Sequence, residues 1–169
     1  MNEMNTSIIG RKPIKRSEHF IALSREHHFG LLFCWKIRQG LNRSIDPDRI
    51  HKYVQYFWEG HLKQHFLEEE SLLFSKANEN LYNQGIKEHN SIRSLIIEMN
   101  KQDRCSISLL QQLADLLDQH IRFEERILFP SLETQLSDEE LKTIGSELHA
   151  HHLNVFKDDY EDEFWIYKK

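Results

Sequence analysis

Apolar residues recur every three or four positions along most of this chain, which is the period of an α-helix that packs on one side. Only six glycines and three prolines interrupt this pattern. Helix-start signals stand at Ser17, at Asp46-Pro47 and at Ser137 with Glu140, where side-chain oxygens can accept from free backbone amides. The pattern predicts five helices with boundaries at about 17–40, 47–77, 81–101, 106–133 and 138–158.

The connections between consecutive helices are short, and short connections favour antiparallel neighbours. The expected fold is therefore all-α, an antiparallel up-down four-helix bundle over residues 17–133 with an additional C-terminal helix. Residues 1–16 are expected to form a flexible N-terminal arm. Residues 134–169 are expected to form a helix and an aromatic tail packed on the bundle. Late in the fourth helix, Ile127 and Leu128 are expected to face inward.

Composition narrows the range of partners. The 169 residues include 22 basic and 27 acidic side chains, for a net charge of −5, and no sustained basic stripe suggests a nucleic-acid partner. No apolar run is long enough for a membrane span, and the first residues lack the apolar segment of a signal peptide. Cys34 and Cys105 form no CxxC motif and are interpreted as reduced thiols. We therefore expect a cytoplasmic protein with no membrane partner, either a monomer or a homodimer.

One short motif occurs twice. Residues 65–74 are HFLEEESLLF and residues 120–129 are HIRFEERILF. In each copy a His is followed four positions later by a Glu, so the two side chains share one face of a helix. A Glu-His pair precedes each copy, at 26–27 and at 88–89. Each predicted helical hairpin thus carries the same chemistry, and we expect approximate two-fold symmetry between them.

The glutamates of this motif indicate a metal site. Glu69 and Glu124 lie on apolar stripes, where an unpaired carboxylate is costly to bury. A metal ion would satisfy both glutamates and the histidines on the same stripes, whereas a buried His–Glu hydrogen-bond network is the alternative. The candidate ligands of two metal ions are four histidines and two glutamates: His27, His65, Glu69, His89, His120 and Glu124.

The glutamates next to the candidate ligands are expected to lie on other faces of the helices. For three of them the solvated surface is the expected position: Glu68, Glu70 and Glu125. Glu26 and Glu88 are expected to point outward or to support a ligand from behind.

Five further histidines are weaker candidates. His28 stands beside His27, and His61 lies one turn before His65, where it would bind metal, support a ligand or gate the cavity. Three others lie beyond the repeats, and we expect them on a polar helix face, with no role assigned: His149, His151 and His152.

Other metal motifs do not match the chain. HLKQH, at 61–65, lacks the glutamate of the zinc-protease motif HExxH. Neither cysteine is placed for structural zinc, and no Glu has a His three positions later, as ferritin-type bundles do. Imidazole and carboxylate ligands suit iron, manganese and zinc.

The ordered set REHH, HFLEEESLLF, KEHN and HIRFEERILFP resembles the hemerythrin-like family of HHE cation-binding domains. Within that family the pattern is most similar to the iron–sulfur cluster repair branch, whose sites use four His and two Glu. The resemblance implies the same six ligands. It also implies two non-haem iron ions joined by an oxo or hydroxo bridge, with zinc or manganese as alternatives.

The resemblance also implies a range of functions. The expected small ligand is O₂ or NO, and the expected role is O₂ or NO sensing or binding, or iron homeostasis and stress response. The alternatives are a di-iron enzyme that reduces NO or peroxide, and an iron donor for repair of iron–sulfur clusters. A redox or iron–sulfur protein is a further candidate partner. A metal- and gas-binding protein is favoured over a dedicated enzyme.

Overall fold

A computed structural model describes residues 16–151 and 156–167. Over these residues the chain is helical and has no strand. The α-helices are α1 (Ile21–Asn42), α2 (Pro47–Phe57), α3 (Lys63–Leu72), α4 (Glu79–Lys101), α5 (Ile107–Phe123), α6 (Phe129–Gln135) and α7 (Asp138–His151). The prediction of an all-α bundle with an additional C-terminal helix is confirmed.

Two π-helical segments join pairs of these helices without a break. Trp58–Leu62 connects α2 to α3, and Glu124–Leu128 connects α5 to α6. The bundle therefore consists of four rods, α1, α2–α3, α4 and α5–α6. A π-turn carries an extra residue compared with an α-turn and often marks a functional site.

Contacts between α1 and α5 show their relative direction. Arg38 donates to Asp118 at 2.9 Å, whereas His27, earlier in α1, lies 3.0 Å from Glu124, later in the other rod. Residue numbers fall along one rod as they rise along the other, so these two rods are antiparallel.

The helix starts follow the capping signals. Ser17 Oγ accepts from the His19 amide at a short 3₁₀ turn before α1, and Asp46 accepts from the Asp48 amide at 3.0 Å. Ser137 and Glu140 form the predicted capping box. Capping also explains an error in the predicted boundaries: Asn78, expected in a loop, caps α4 by accepting from the Leu81 amide at 3.1 Å.

Two predicted helix ends were wrong. The second rod ends as an α-helix at Leu72, and a 3₁₀ turn, Phe74–Lys76, replaces its predicted last turn. The C-terminal helix was expected to reach about residue 158. Instead α7 ends at His151, residues 152–155 lie outside the described part, and 156–158 are not helical. There the chain follows the bundle surface, where Tyr56 Oη donates to the Lys157 carbonyl at 3.1 Å.

Ile127 does not face inward as predicted but is 51% exposed, whereas Leu128 and Phe129 are buried. The cause is the π-helical segment that begins at Glu124. Its extra residue shifts every later position round the rod, so the apolar stripe continues one residue later than an α-helix would place it.

Two apolar clusters fill the bundle and leave the candidate ligands between them. One cluster includes Phe33, Phe57 and Phe66, and the other includes Phe74 and Phe129. The candidate ligand residues are in contact with both clusters. The polar site is therefore enclosed at both ends by side chains that exclude water.

The C-terminal tail packs on α1 and α2. The Lys36 ammonium is 2.7 Å from Asp158, and both side chains are largely buried. It also lies 3.9 Å from the Trp165 ring. Phe164 packs against Gly40, where a Cβ atom would be only 2.8 Å from the ring. Of the predicted N-terminal arm, residues 1–15 lie outside the described part. In the part that is described, no helix is long and apolar enough to span a membrane.

Candidate metal centre

The six predicted ligand side chains come together in the middle of the bundle. Each of the four rods contributes at least one of them, and none is more than 5% exposed. Their donor atoms form two sets that share Glu69 and Glu124. We call them the first group (His27, His65, Glu69 and Glu124) and the second group (Glu69, His89, His120 and Glu124), and within each the atoms lie within 4.8 Å of one another.

In the first group, the imidazole Nε2 atoms face the two carboxylates. His27 Nε2 lies 3.1 Å from Glu69 Oε1 and 3.0 Å from Glu124 Oε2. His65 Nε2 lies 2.8 Å from Glu69 Oε1, because the two residues are four apart on α3 and share one face.

In the second group, the other oxygen of each carboxylate is used. His89 Nε2 lies 3.3 Å from Glu69 Oε2, and His120 Nε2 lies 3.4 Å from Glu124 Oε1. Each glutamate therefore directs one oxygen toward each group. This is the arrangement that a carboxylate needs in order to bridge two cations.

A second layer of four carboxylates fixes the imidazoles from behind. The Nδ1–H group of each histidine donates to one glutamate at 2.6–2.8 Å. The pairs are His27 with Glu125, His65 with Glu26, His89 with Glu70, and His120 with Glu88. Because a carboxylate only accepts, the proton lies on Nδ1, and the lone pair of each neutral imidazole lies on Nε2, facing the centre.

The prediction that Glu70 and Glu125 are surface residues was therefore wrong, as was the same prediction for Glu68, which is buried. Glu26 and Glu88 do support ligands from behind. Helical periodicity showed that Glu70 and Glu125 leave the ligand face of their own helix, but each accepts from a candidate ligand histidine on another helix. The repeated motif itself could have indicated this role, because both copies contain a second Glu directly after the candidate ligand glutamate.

Basic side chains hold two of the outer carboxylates. Glu125 pairs with Arg16 and accepts from Ser24 at 2.8 Å. Glu70 accepts from Arg93 at 2.7 Å. These contacts restrict the rotation of the glutamates and so fix the orientation of the histidines that they hold.

The inner donor atoms require a positive charge. Glu69 Oε2 and both carboxylate oxygens of Glu124 receive no well-aligned hydrogen bond from any described residue. The Nε2 atoms of His89 and His120 are only 2.8 Å apart, so in the neutral rings two lone pairs would face each other. Protons or a metal cation must therefore occupy the space between these atoms, and the donor set fits a metal.

The pKa values reflect the same negative field. Burial alone would lower the pKa of an imidazole. The charge of Glu69 and hydrogen bonds to Glu26 and Glu69 outweigh burial and raise the pKa of His65 to about 10. Likewise, burial opposes ionisation of Glu69, but the neighbouring imidazoles, His65 first, hold its pKa well below the usual value. A field that retains protons this strongly will also attract metal cations.

The weaker candidates lie outside both groups. His28 is exposed and lines a surface pocket next to His27. His61 is buried in the first π-helical segment, with its ring stacked 5.6 Å from the His65 ring. His61 therefore lies beside the ring of His65 and belongs to neither group.

The three histidines beyond the repeats also lie away from the centre. His149 and His151 are exposed on α7, and His152 lies outside the described residues.

Comparison with known proteins agrees with this geometry. The family model of the hemerythrin HHE cation-binding domain matches residues 19–132, which include all six candidate ligands and all four rods except the last residues of α6. The searches of curated proteins and of solved structures gave no significant match. The match covers most of the chain, and the chain therefore belongs to the hemerythrin HHE cation-binding domain family.

Proposed function

We propose that this protein holds two iron ions, one in each group, and that the centre binds O₂ or NO in a sensing, stress-response or iron-homeostasis role. The observation that supports it best is the position of Glu69 and Glu124. Each directs one oxygen toward the first group and the other toward the second. A site for a single ion would not need both carboxylates shared in this way.

The number of ligands supports binding of a small molecule. Each group offers two imidazoles and one oxygen from each of two carboxylates, four protein donors in all. An octahedral iron ion prefers six donors, so positions remain for exogenous ligands. When bound there, iron supplies reversible one-electron chemistry and affinity for diatomic gases.

The surroundings support the same proposal. The Phe129 ring stacks on His27 at 5.5 Å, and the Phe66 ring stacks on His89 at 3.7 Å. Aromatic walls exclude bulk water but admit small apolar molecules, and they strengthen the electrostatic interactions inside. The outer carboxylates increase the basicity of the imidazoles, which favours cation binding.

The proposal is tested with the full chain loaded anaerobically with Fe²⁺. Elemental analysis should find two iron ions per chain, and oxidation should produce near-ultraviolet absorption that zinc cannot give. Titration of the reduced protein with O₂ and with NO should change the optical spectrum reversibly. Catalytic turnover of NO or peroxide would instead identify an enzyme, and release of iron to an acceptor protein would identify an iron donor.

Glu124→Ala provides the matched variant. Because Glu124 belongs to both groups, its loss should remove most of the iron from both. It should also lower the melting temperature of the loaded protein, since bound metal stabilises the folded state by about 2.7 kcal/mol at a hundredfold excess over Kd. Glu98→Ala, on the exposed face of α4, should change neither quantity. Full iron content in Glu124→Ala would contradict the proposal.

A further inference from the structure

Two buried polar side chains have no part in the candidate centre. Among the described residues, nine ionisable side chains of histidine, lysine and glutamate are buried. Six are the candidate ligands, and Lys36 pairs with Asp158 at 2.7 Å. The other two are His61 and Glu68, each 6% exposed. Both line one cavity next to His65.

This cavity leads from the surface to the outer layer of the centre. Its volume is about 100 Å³, enough for roughly three water molecules. Six of its lining residues carry nitrogen or oxygen donors suited to a transition-metal cation, and among the described residues no Lys or Arg lines it: Glu26, His61, Gln64, His65, Glu68 and His151. Glu26 holds the Nδ1–H group of His65, so the inner end of the cavity reaches a candidate ligand.

Donor atoms follow one another along this path. His151, exposed on α7, has its Nδ1 atom 3.5 Å from Glu68 Oε1. Gln64 Nε2 donates to the same oxygen at 3.0 Å and so helps to fix the carboxylate. Further in, the His61 ring stacks 5.6 Å from the ring of His65.

Phe156 from the C-terminal tail covers the cavity. Its ring stacks on His61, with centroids 4.8 Å apart and an interplanar angle of 20°. Gly60 allows this position, because a Cβ atom there would lie 3.2 Å from the ring. Phe156 therefore packs over the π-helical segment as an apolar lid on a polar cavity.

The surface pocket beside His27 has the opposite charge. It is lined by Arg122 and Arg126 as well as Glu125, and Glu125 is already paired with Arg16. Guanidinium groups repel metal cations and lower their local concentration, whereas carboxylates in a narrow cleft raise it. Of these two approaches, charge favours the cavity at Glu68 for a cation.

We propose that the cavity at Glu68 is a cation port, through which a divalent transition-metal ion reaches His65, with Glu68 and His61 as transient ligands and Phe156 as the lid. The port rests on the proposed function only in that the centre must bind metal. It does not depend on whether O₂, NO or iron transfer is the physiological role.

The test measures the rate at which the metal-free full chain takes up Co²⁺, followed by optical absorption after rapid mixing. Glu68→Gln keeps the size of the side chain and its contact with Gln64 but removes the charge, and uptake should slow roughly tenfold. Glu59→Gln makes the same charge change on an exposed residue of the same rod, in the π-helical segment before α3, and uptake should keep the rate of the unmodified protein. Equilibrium Co²⁺ content should be the same in all three proteins.

The lid is tested separately. Phe156→Ala should accelerate both Co²⁺ uptake and release to a chelator several-fold, and Phe156→Leu should restore most of the closed behaviour. Circular dichroism confirms that each variant is folded. Should Phe156→Ala fail to fold, Glu68→Gln still decides the port, because an unmodified uptake rate in that variant would refute it.

The outcomes separate the port from the metal centre. Uptake at the unmodified rate in both Glu68→Gln and Phe156→Ala would refute the port while leaving metal binding in place. No Co²⁺ uptake by the unmodified chain at equilibrium would refute the metal centre itself, and the port with it.

Discussion

The two copies of the repeated motif have identical candidate ligands but differ in the residues that pack around them. One position after the ligand histidine, the first copy has Phe66 and the second has Ile121. Three positions after it, the first copy has Glu68 and the second has Phe123. These two differences separate an accessible group from an enclosed one.

Ile121 and Glu68 both line cavities next to histidines of the first group. Ile121 lines the surface pocket of about 270 Å³ next to His27, and Glu68 lines the cavity next to His65. Both histidines of the first group can thus be approached from the surface.

Phe66 and Phe123 pack against the two histidines of the second group. Phe66 stacks on His89 with centroids 3.7 Å apart and an interplanar angle of 9°, and Phe123 packs 6.2 Å from His120. The two copies therefore provide the same ligands, but cavities reach the histidines of the first group, whereas aromatic rings cover those of the second.

The largest expected effect comes from replacing one histidine of each group in turn, which tests whether the first group is more accessible than the second. His27→Gln should lose the first ion, and His89→Gln should lose the second, so each variant should retain about one ion per chain. The ion that remains in His89→Gln lies in the accessible group. It should be released to a chelator faster than the ion that remains in His27→Gln, because the apolar rings around the second group restrict access from solvent. Elemental analysis gives the content, and a time course with the chelator gives the rates.

The control for these variants is His149→Gln, because His149 is an exposed histidine on α7. Its metal content and release rate should equal those of the unmodified protein. Equal release rates in His27→Gln and His89→Gln would show that the two groups are equally accessible and that the comparison is wrong.

Exchanging the packing residues should have a smaller effect. Phe66→Ile removes the ring that covers His89, so release of the second ion should accelerate, at a cost of about 1–3 kcal/mol in the free energy of unfolding. Ile121→Phe should partly fill the pocket next to His27 and slow the binding of azide, a small anionic probe, to the oxidised iron. Optical titration and chemical denaturation measure these effects. A faster reaction with azide in Ile121→Phe would contradict the assignment of this pocket as an approach to the first group.

The sequence was sufficient for the fold and for the convergence of the six side chains. Helical periodicity placed His65 with Glu69 and His120 with Glu124, and a buried carboxylate needs a cationic partner. The sequence was not sufficient to predict the positions of Glu70 and Glu125. Periodicity describes the faces of a single helix, whereas these two carboxylates accept hydrogen bonds from histidines on other helices.

The π-helical segments were also missed. A π-turn depends on how neighbouring rods pack and has no local residue signature here. The exposed position of Ile127 follows from that extra residue. What the sequence could not predict is therefore the part of the structure that depends on contacts between rods.

The smallest expected difference between the groups is in proton affinity when metal is absent. Burial lowers the pKa of both His65 and His120, but nearby carboxylates, chiefly Glu69 and Glu124 respectively, raise it to about 10 and to about 9. Both values exceed the usual 6.5. The stability that these protons contribute is therefore fully present below about pH 6.5 and is lost as pH rises through about 9 and then about 10.

Metal binding should show the opposite pH dependence, because a metal ion displaces these protons. From pH 7 to 10 the melting temperature of the metal-free chain should fall while its affinity for Zn²⁺ rises. In NMR titration of the metal-free chain, His65 should lose its proton about one pH unit above His120, with each signal assigned by its absence in the His→Gln variant. The reverse order would mean that the more accessible group has the weaker negative field. A melting temperature that rises over this range would show that the imidazoles are neutral without metal, so that protons do not substitute for the cation.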